Sequence, residues 1–216
     1  MRVLAVPVKT LERSKRRLSP VLSQAERAAL SLIMLEDVLD ACQEQAGWEV
    51  WVVSGAEAAL EIGARRGARP VLETTPTLLG AIRQVEAEVR GRRSELAVLL
   101  ADLPLLTSGT LAAALAMPGP VVAAPADSDG GTNLLIRRPP TMIPARFGRA
   151  SFAKHRAEAH RRGLTFLEAR HPELAFDLDR PQDLARVLAT DPAAVPGRTR
   201  AACLEMGLAA RLGATA

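Results

Sequence analysis

The chain has 216 residues, 48% of them hydrophobic, which is enough for one sizeable core and too short to divide comfortably into two domains. Its formal charge of +4 comes with no Tyr and only 3% aromatic residues; the stacking platforms of single-strand and RNA binders are missing, so nucleic acid is set aside as a partner. No apolar run approaches the ~20 residues of a membrane span, the first eight residues read as a strand, and Cys42 and Cys203 offer neither a metal-ligand spacing nor a disulfide framework, so the expectation is a soluble, unprocessed protein of the reducing cytoplasm.

In chain order, "VLAVPV" (3–8) is a short apolar strand. The connection that follows, within "VPVKTLERSKRRLSP" (6–20), carries Lys9, Arg13, Lys15, Arg16 and Arg17 against the single acid Glu12. Five cations there suit a polyphosphate, Lys as a point charge and Arg as a planar fork; a solvated basic loop is the alternative. The glycine spacing of a P-loop or dinucleotide fingerprint is absent. Ser23 with Glu26 is a capping-box signature that predicts a helix start. A strand "EVWVVS" (49–54), a helix over 56–66, a strand near 69–72, a helix over 78–92 and a strand "ELAVLLA" (95–101) follow. Such continuous apolar runs alternating with helices predict an α/β fold, a doubly wound and mostly parallel sheet covered on both faces. Past residue 120, "PVVAAPA" and "NLLIRR" flank the turn "DSDGGT", which predicts a small antiparallel excursion. Residues 1–190 read as one domain, with 191–216 as a peripheral helix or tail of it.

Ligand crevices of open α/β sheets lie outside the carboxyl ends of the strands, and Asp102 is read as the first residue after such a strand. There it can hold Mg²⁺, or merely end the strand and cap the turn at Pro104. In "FDLDRPQDL" (176–184), Asp177 and Asp179 alternate along an extended segment and point to one side, so they can share a metal with Asp102; Asp179 is also a candidate cap for a helix beginning at Pro181. Ser151 is expected to cap a helix running to about Arg162, whose free N–H groups form an anion site. Gly148 permits close backbone approach, and the Thr132 hydroxyl can donate to a carboxylate or phosphate. An ordinary cap, turn glycine and hairpin threonine are the alternatives. His155 and His160, five apart, are expected at the surface.

Together "VPVKTLERSKRRLSPVLSQAERAALSLIMLEDVL", "LLADLPLLT", "GGTNLLI", "FGRASFAKH" and "FDLDRPQDL" resemble the guanylyltransferases of deazaflavin coenzyme F-420 biosynthesis, within the wider molybdopterin-type nucleotidyltransferases. The resemblance spans residues 3 to 188. It implies a Rossmann-like domain of the nucleotide-diphospho-sugar transferase type that joins GMP from GTP to phosphoenolpyruvate or 2-phospho-L-lactate with release of pyrophosphate. It assigns Mg²⁺ to Asp102, Asp177 and Asp179, the nucleotide to Pro7, Lys9, Lys15 and Arg17, and the phosphoacid to Thr132, Gly148 and Ser151. Lys15, Arg17 and Asp102 form the implied catalytic set, with Lys15 and Arg17 facing the triphosphate. Two departures stand out: "TLLGAI" puts Thr77 and Leu79 where the family has glycine and asparagine, and "FGRASF" puts Arg149 and Ala150 in place of proline and glycine. A cytidylyl- or molybdopterin-type nucleotidyltransferase and a non-catalytic nucleotide-binding relative are the alternatives. Oligomeric state, a homodimer included, stays open.

Overall fold

The apolar runs become strands because each offers side chains to two cores at once. On β1 (Arg2–Val8), Leu4, Val6 and Val8 face one way and Val3 and Ala5 the other. The same alternation divides Val50 and Val52 from Trp51 and Val53 on β2 (Glu49–Ser54), and Ala97 and Leu99 from Leu96 and Val98 on β4 (Glu95–Leu99). One core is closed by α1 (Gln24–Gln43), α2 (Glu57–Arg65) and α4 (Ser108–Ala116), the other by α3 (Leu78–Val89). This computed structural model describes residues 1–11, 14–89, 94–191 and 197–213. Glu12, Arg13, the end of the helix expected over 78–92, and residues 192–196 and 214–216 of the tail lie outside them.

Seven strands form one sheet in the order β3-β2-β1-β4-β6-β5-β7, completed by β3 (Arg69–Leu72), β5 (Val121–Pro125), β6 (Thr132–Arg137) and β7 (Phe166–Glu168). β6 alone is antiparallel to its neighbours, β4 and β5. The sheet is therefore mostly parallel with the antiparallel excursion that "DSDGGT" predicts; the short β7 has no sequence signal of its own. Reversal of β6 puts its first residue, Thr132, at the edge of the sheet where β1, β2 and β4 end.

The remaining helices are α5 (Ser151–Arg161), α6 (Pro172–Ala175), α7 (Pro181–Ala189), α8 (Arg198–Glu205) and α9 (Leu208–Arg211). A separate apolar cluster joins Leu30 and Met34 of α1 to Leu184 and Val187 of α7, Cys203 of α8 and Leu208 of α9. The carboxylate of Asp37, on α1, accepts the Arg198 and Thr199 N–H groups at 2.9 Å each and the Thr199 hydroxyl at 2.7 Å, so α8 is capped by a different helix. At α1 both arms of the Ser23–Glu26 capping box are present.

Two expected caps are corrected. Asp179 does not cap α7: Asp183 accepts the N–H groups of Asp179 and Arg180 at 2.9 and 2.7 Å, leaving the Asp179 carboxylate free for the cleft. Ser151 is not a cap either, because it is the first helical residue of α5 and Ala150, in the left-handed region at φ 55°, precedes it.

Candidate active site

The carboxyl edge of the parallel strands opens onto a cleft of about 460 Å³ lined by Pro7, Val8, Lys9, Thr10, Glu73, Pro76, Thr77, Leu78 and Ala81. A smaller hollow of about 130 Å³ continues it, sharing Pro7, Val8, Lys9 and Leu78 and adding Lys15, Asp102 and Asp179. Pro7 and Lys9 come from the end of β1, Glu73 follows β3, and Asp102 lies three residues past the last ladder residue of β4 rather than directly after it. The chain stays anchored between, since the Leu100 N–H donates to the Asn133 carbonyl at 2.9 Å.

A buried lysine organises the small hollow. Lys15, in the left-handed region at φ 49°, places its Nζ 2.6 Å from Asp102 Oδ2 and 2.9 Å from Asp179 Oδ1, with 7% of its side chain exposed. Burial opposes its charge, but the two carboxylates prevail and raise its pKa above the ordinary lysine value. Burial likewise opposes charge on Asp179, and Lys15 and Arg17 hold its pKa below the usual carboxylate value. Arg17 is more exposed and reaches Asp179 Oδ2 at 3.4 Å.

The backbone brings the second acidic segment onto the first, because the Leu178 N–H donates to the Asp102 carbonyl at 3.0 Å. Leu178 is buried between the two acids. Asp177 accepts a 2.8 Å hydrogen bond from the Ser128 hydroxyl. Its pKa is raised to about 6, first by burial and then by the negative charges of Asp102 and Asp179, against the Ser128 bond. Asp102 Oδ1 and Asp177 Oδ1 are buried with no hydrogen-bond partner among the described residues. Two orphaned carboxylate oxygens beside a third carboxylate are a donor set suited to a hard cation. Among the described residues no three such groups yet surround one point, and Lys15 stands between Asp102 and Asp179 as the cation present.

Across the edge, Thr132, Ser151 and Gly148 are brought together but not as an open helix end. Ser151 Oγ donates to Thr132 Oγ1 at 2.9 Å, and both residues are buried. The N–H groups of Ala150, Ser151 and Phe152 donate to the carbonyls of Asp129, Gly148 and Gly130. The first turn of α5 therefore spends these donors on its own loops, and the expected free N–H array is corrected at those positions. Gly148, at φ 119°, and Arg149 and Ala150 form an exposed turn.

The whole of this edge falls within a match to the family model described as "Guanylyl transferase CofC like", over residues 1–191. The chain belongs to this guanylyl transferase family. It is 39% identical to the phosphoenolpyruvate guanylyltransferase of Rubrobacter xylanophilus, over 86% of this chain and 92% of the relative. It is 37% identical to the 3-phospho-D-glycerate guanylyltransferase of Phenylobacterium zucineum, covering 81% and 84% of the two chains. Identity is also 37% to the 2-phospho-L-lactate guanylyltransferase of Haloarcula marismortui, covering 86% and 84%. Among solved structures, a protein of Desulfovibrio desulfuricans G20 described as a nucleotide-diphospho-sugar transferase superposes with a TM-score of 0.76 at 18% identity, over 98% of this chain and 96% of that one. The chain is thus a nucleotidyltransferase by family.

In this guanylyl transferase three site residues escape sequence reading. Glu73 follows its strand directly, the signal by which Asp102 is picked out in the sequence; burial raises its pKa, opposed by the Gly55 N–H. Ser128 is legible only through its partner Asp177. His155, expected at the surface, is fully buried, and the correction has a visible cause: Phe152, His155 and Ala159 fall on one helical face, all three buried. His160 is exposed, as its position off that face requires. At "TLLGAI" the Thr77 hydroxyl accepts the Gly80 N–H at 3.0 Å, a capping role that glycine could not fill.

Proposed function

We propose that this guanylyl transferase joins GMP from GTP to the phosphate of phosphoenolpyruvate or 2-phospho-L-lactate, releasing pyrophosphate, as a step toward coenzyme F-420. The observation that carries the reading is Lys15 held between Asp102 and Asp179 at the mouth of the edge cleft, with Asp177 close enough to feel the charge of all three. Pro7 and Lys9 line the nucleotide side, and Thr132, Gly148 and Ser151 belong to the acceptor side. Asp102, Asp177 and Asp179 would hold Mg²⁺, whose charge, when bound, would polarise the phosphate oxygens.

An oxygen of the acceptor phosphate attacks the α-phosphorus of GTP in line with the departing bond, whose electron pair leaves with pyrophosphate. The acceptor oxygen is already anionic near neutral pH, so no protein base is required. Positioning and charge neutralisation do most of the catalysis. Lys15 and Arg17 meet the charge that grows on pyrophosphate; Lys15 exchanges one set of anionic oxygens, those of Asp102 and Asp179, for another. Guanine presents two adjacent donors on its Watson–Crick edge, and Glu73 in the larger cleft is the acidic acceptor that matches them. Both described cysteines are buried and unpaired, and no described helix is long and apolar enough to cross a membrane.

The test is pyrophosphate release across GTP, CTP and ATP, each with phosphoenolpyruvate, 2-phospho-L-lactate and 3-phospho-D-glycerate. Turnover confined to GTP with one of the first two acceptors is expected. Preference for CTP, or nucleotide binding without release, would overturn the reading. Glu73→Gln should narrow the preference for GTP over ATP by about 1–3 kcal/mol in ΔΔG‡, the discrimination of a bidentate base contact.

A further inference from the structure

His155 is the one buried imidazole beside the acceptor side, and neither the nucleotide nor the acid cluster uses it. It is fully enclosed, packed edge-on against Phe147 with ring centroids 5.6 Å apart. Its Nε2 accepts the Arg146 backbone N–H at 2.8 Å, and its Nδ1 lies 3.0 Å from Thr132 Oγ1. The amide fixes the tautomer: an imidazole that accepts at Nε2 carries its hydrogen on Nδ1. Nδ1 therefore donates to Thr132, which also accepts from Ser151.

Counting hydrogens gives the consequence. The imidazole and the two hydroxyls supply three, and the two contacts among them consume two. One hydroxyl hydrogen is left over. Because the Ser151 hydroxyl spends its hydrogen on Thr132 Oγ1, the remaining donor is the Thr132 hydroxyl at the start of β6. With the opposite tautomer, Nδ1 would take the Thr132 hydrogen and both contacts would close with nothing to offer a ligand.

We propose that His155 is the positioning residue of the acceptor side, holding Thr132 as a double acceptor so that its own O–H is presented to an anionic oxygen of the phosphoacid. The inference rests on the acceptor assignment of Thr132, Gly148 and Ser151 made above. It assigns His155 no contact with substrate and no proton transfer.

Two isosteric half-replacements separate the arms. His155→Asn keeps a donor near Nδ1 and loses the acceptor for Arg146; His155→Gln keeps an acceptor near Nε2 and loses the donor to Thr132. Steady-state kinetics with phosphoenolpyruvate and GTP should give His155→Gln and Thr132→Val an acceptor KM raised about tenfold, one hydrogen bond's worth. His155→Asn should raise it clearly less than His155→Gln does, with the KM for GTP unchanged in all three. An unchanged acceptor KM in Thr132→Val would remove the acceptor assignment itself, and this inference with it. A raised KM in Thr132→Val with equal values in the two His155 variants would overturn the tautomer argument alone. Should either His155 variant not fold, ¹⁵N spectroscopy of histidine-labelled wild-type protein decides: a neutral Nδ1–H ring supports the inference, and an Nε2–H ring or an imidazolium contradicts it.

Discussion

His155 shows how a single buried group links chemistry to stability. Its pKa is lowered to about 4, chiefly by burial and then by the charges of Arg137, Arg146 and Lys154. Above pH ~6.5 it is neutral in folded and unfolded chains alike; between ~6.5 and ~4 the unfolded chain binds a proton that the folded chain refuses. Stability is therefore present above the unfolded value and lost as pH falls through that window. Denaturant unfolding of wild type should show ~2 kcal/mol more loss between pH 7.5 and pH 5 than His155→Asn shows. Equal losses would mean that the ring takes up its proton in the fold. Ala150 carries a different strain, a left-handed φ of 55° on a residue with a Cβ. Ala150→Gly, the family's own residue, relieves it at the expense of a more flexible unfolded chain, and a net gain of about 0.5–1 kcal/mol by thermal unfolding is expected. A loss of stability would show that the turn is not strained.

At the scale of elements, the capping of α8 from α1 decides whether the C-terminal helices stay docked. Removing the Asp37 carboxylate leaves two N–H groups and a hydroxyl without their acceptor, and Asp37→Ala should lose about 2 kcal/mol in urea unfolding. A loss under 0.5 kcal/mol would mean that the Cys203 and Leu208 packing holds these helices alone. Elements whose signals are local were legible in the sequence. β1, β2 and β4 announce themselves because both faces are buried and every residue between their first and last positions is apolar; α1 begins where Ser23 and Glu26, three apart, satisfy each other. What failed was long-range. The Ser151 hydroxyl has its partner 19 residues back in Thr132, and no pattern within α5 reveals it. Asp179 has the local signature of a cap, but Asp183, one turn on, fills that role and leaves Asp179 to Lys15. At His155 the pattern is present, three residues after Phe152 and four before Ala159, and it marks the buried face of α5.

For the molecule as a whole, reversing β6 within an otherwise parallel sheet is what puts both halves of the proposed transfer site on one edge. Parallel strands deliver Lys9, Glu73 and Asp102 to their carboxyl ends, and the reversed strand delivers Thr132 to the same edge from its amino end. The segment 176–179, tied to Asp102 through Leu178, completes the acid cluster between them. These acids contribute little to the hydrophobic cores, so function and folding should separate cleanly there. The most direct measurement is pyrophosphate release by Asp102→Asn with GTP and phosphoenolpyruvate, alongside its thermal unfolding. Turnover should fall by ~10²–10³-fold or more in a protein that still unfolds cooperatively near the wild-type temperature. Turnover close to wild type in that folded variant would contradict the proposed role of Asp102.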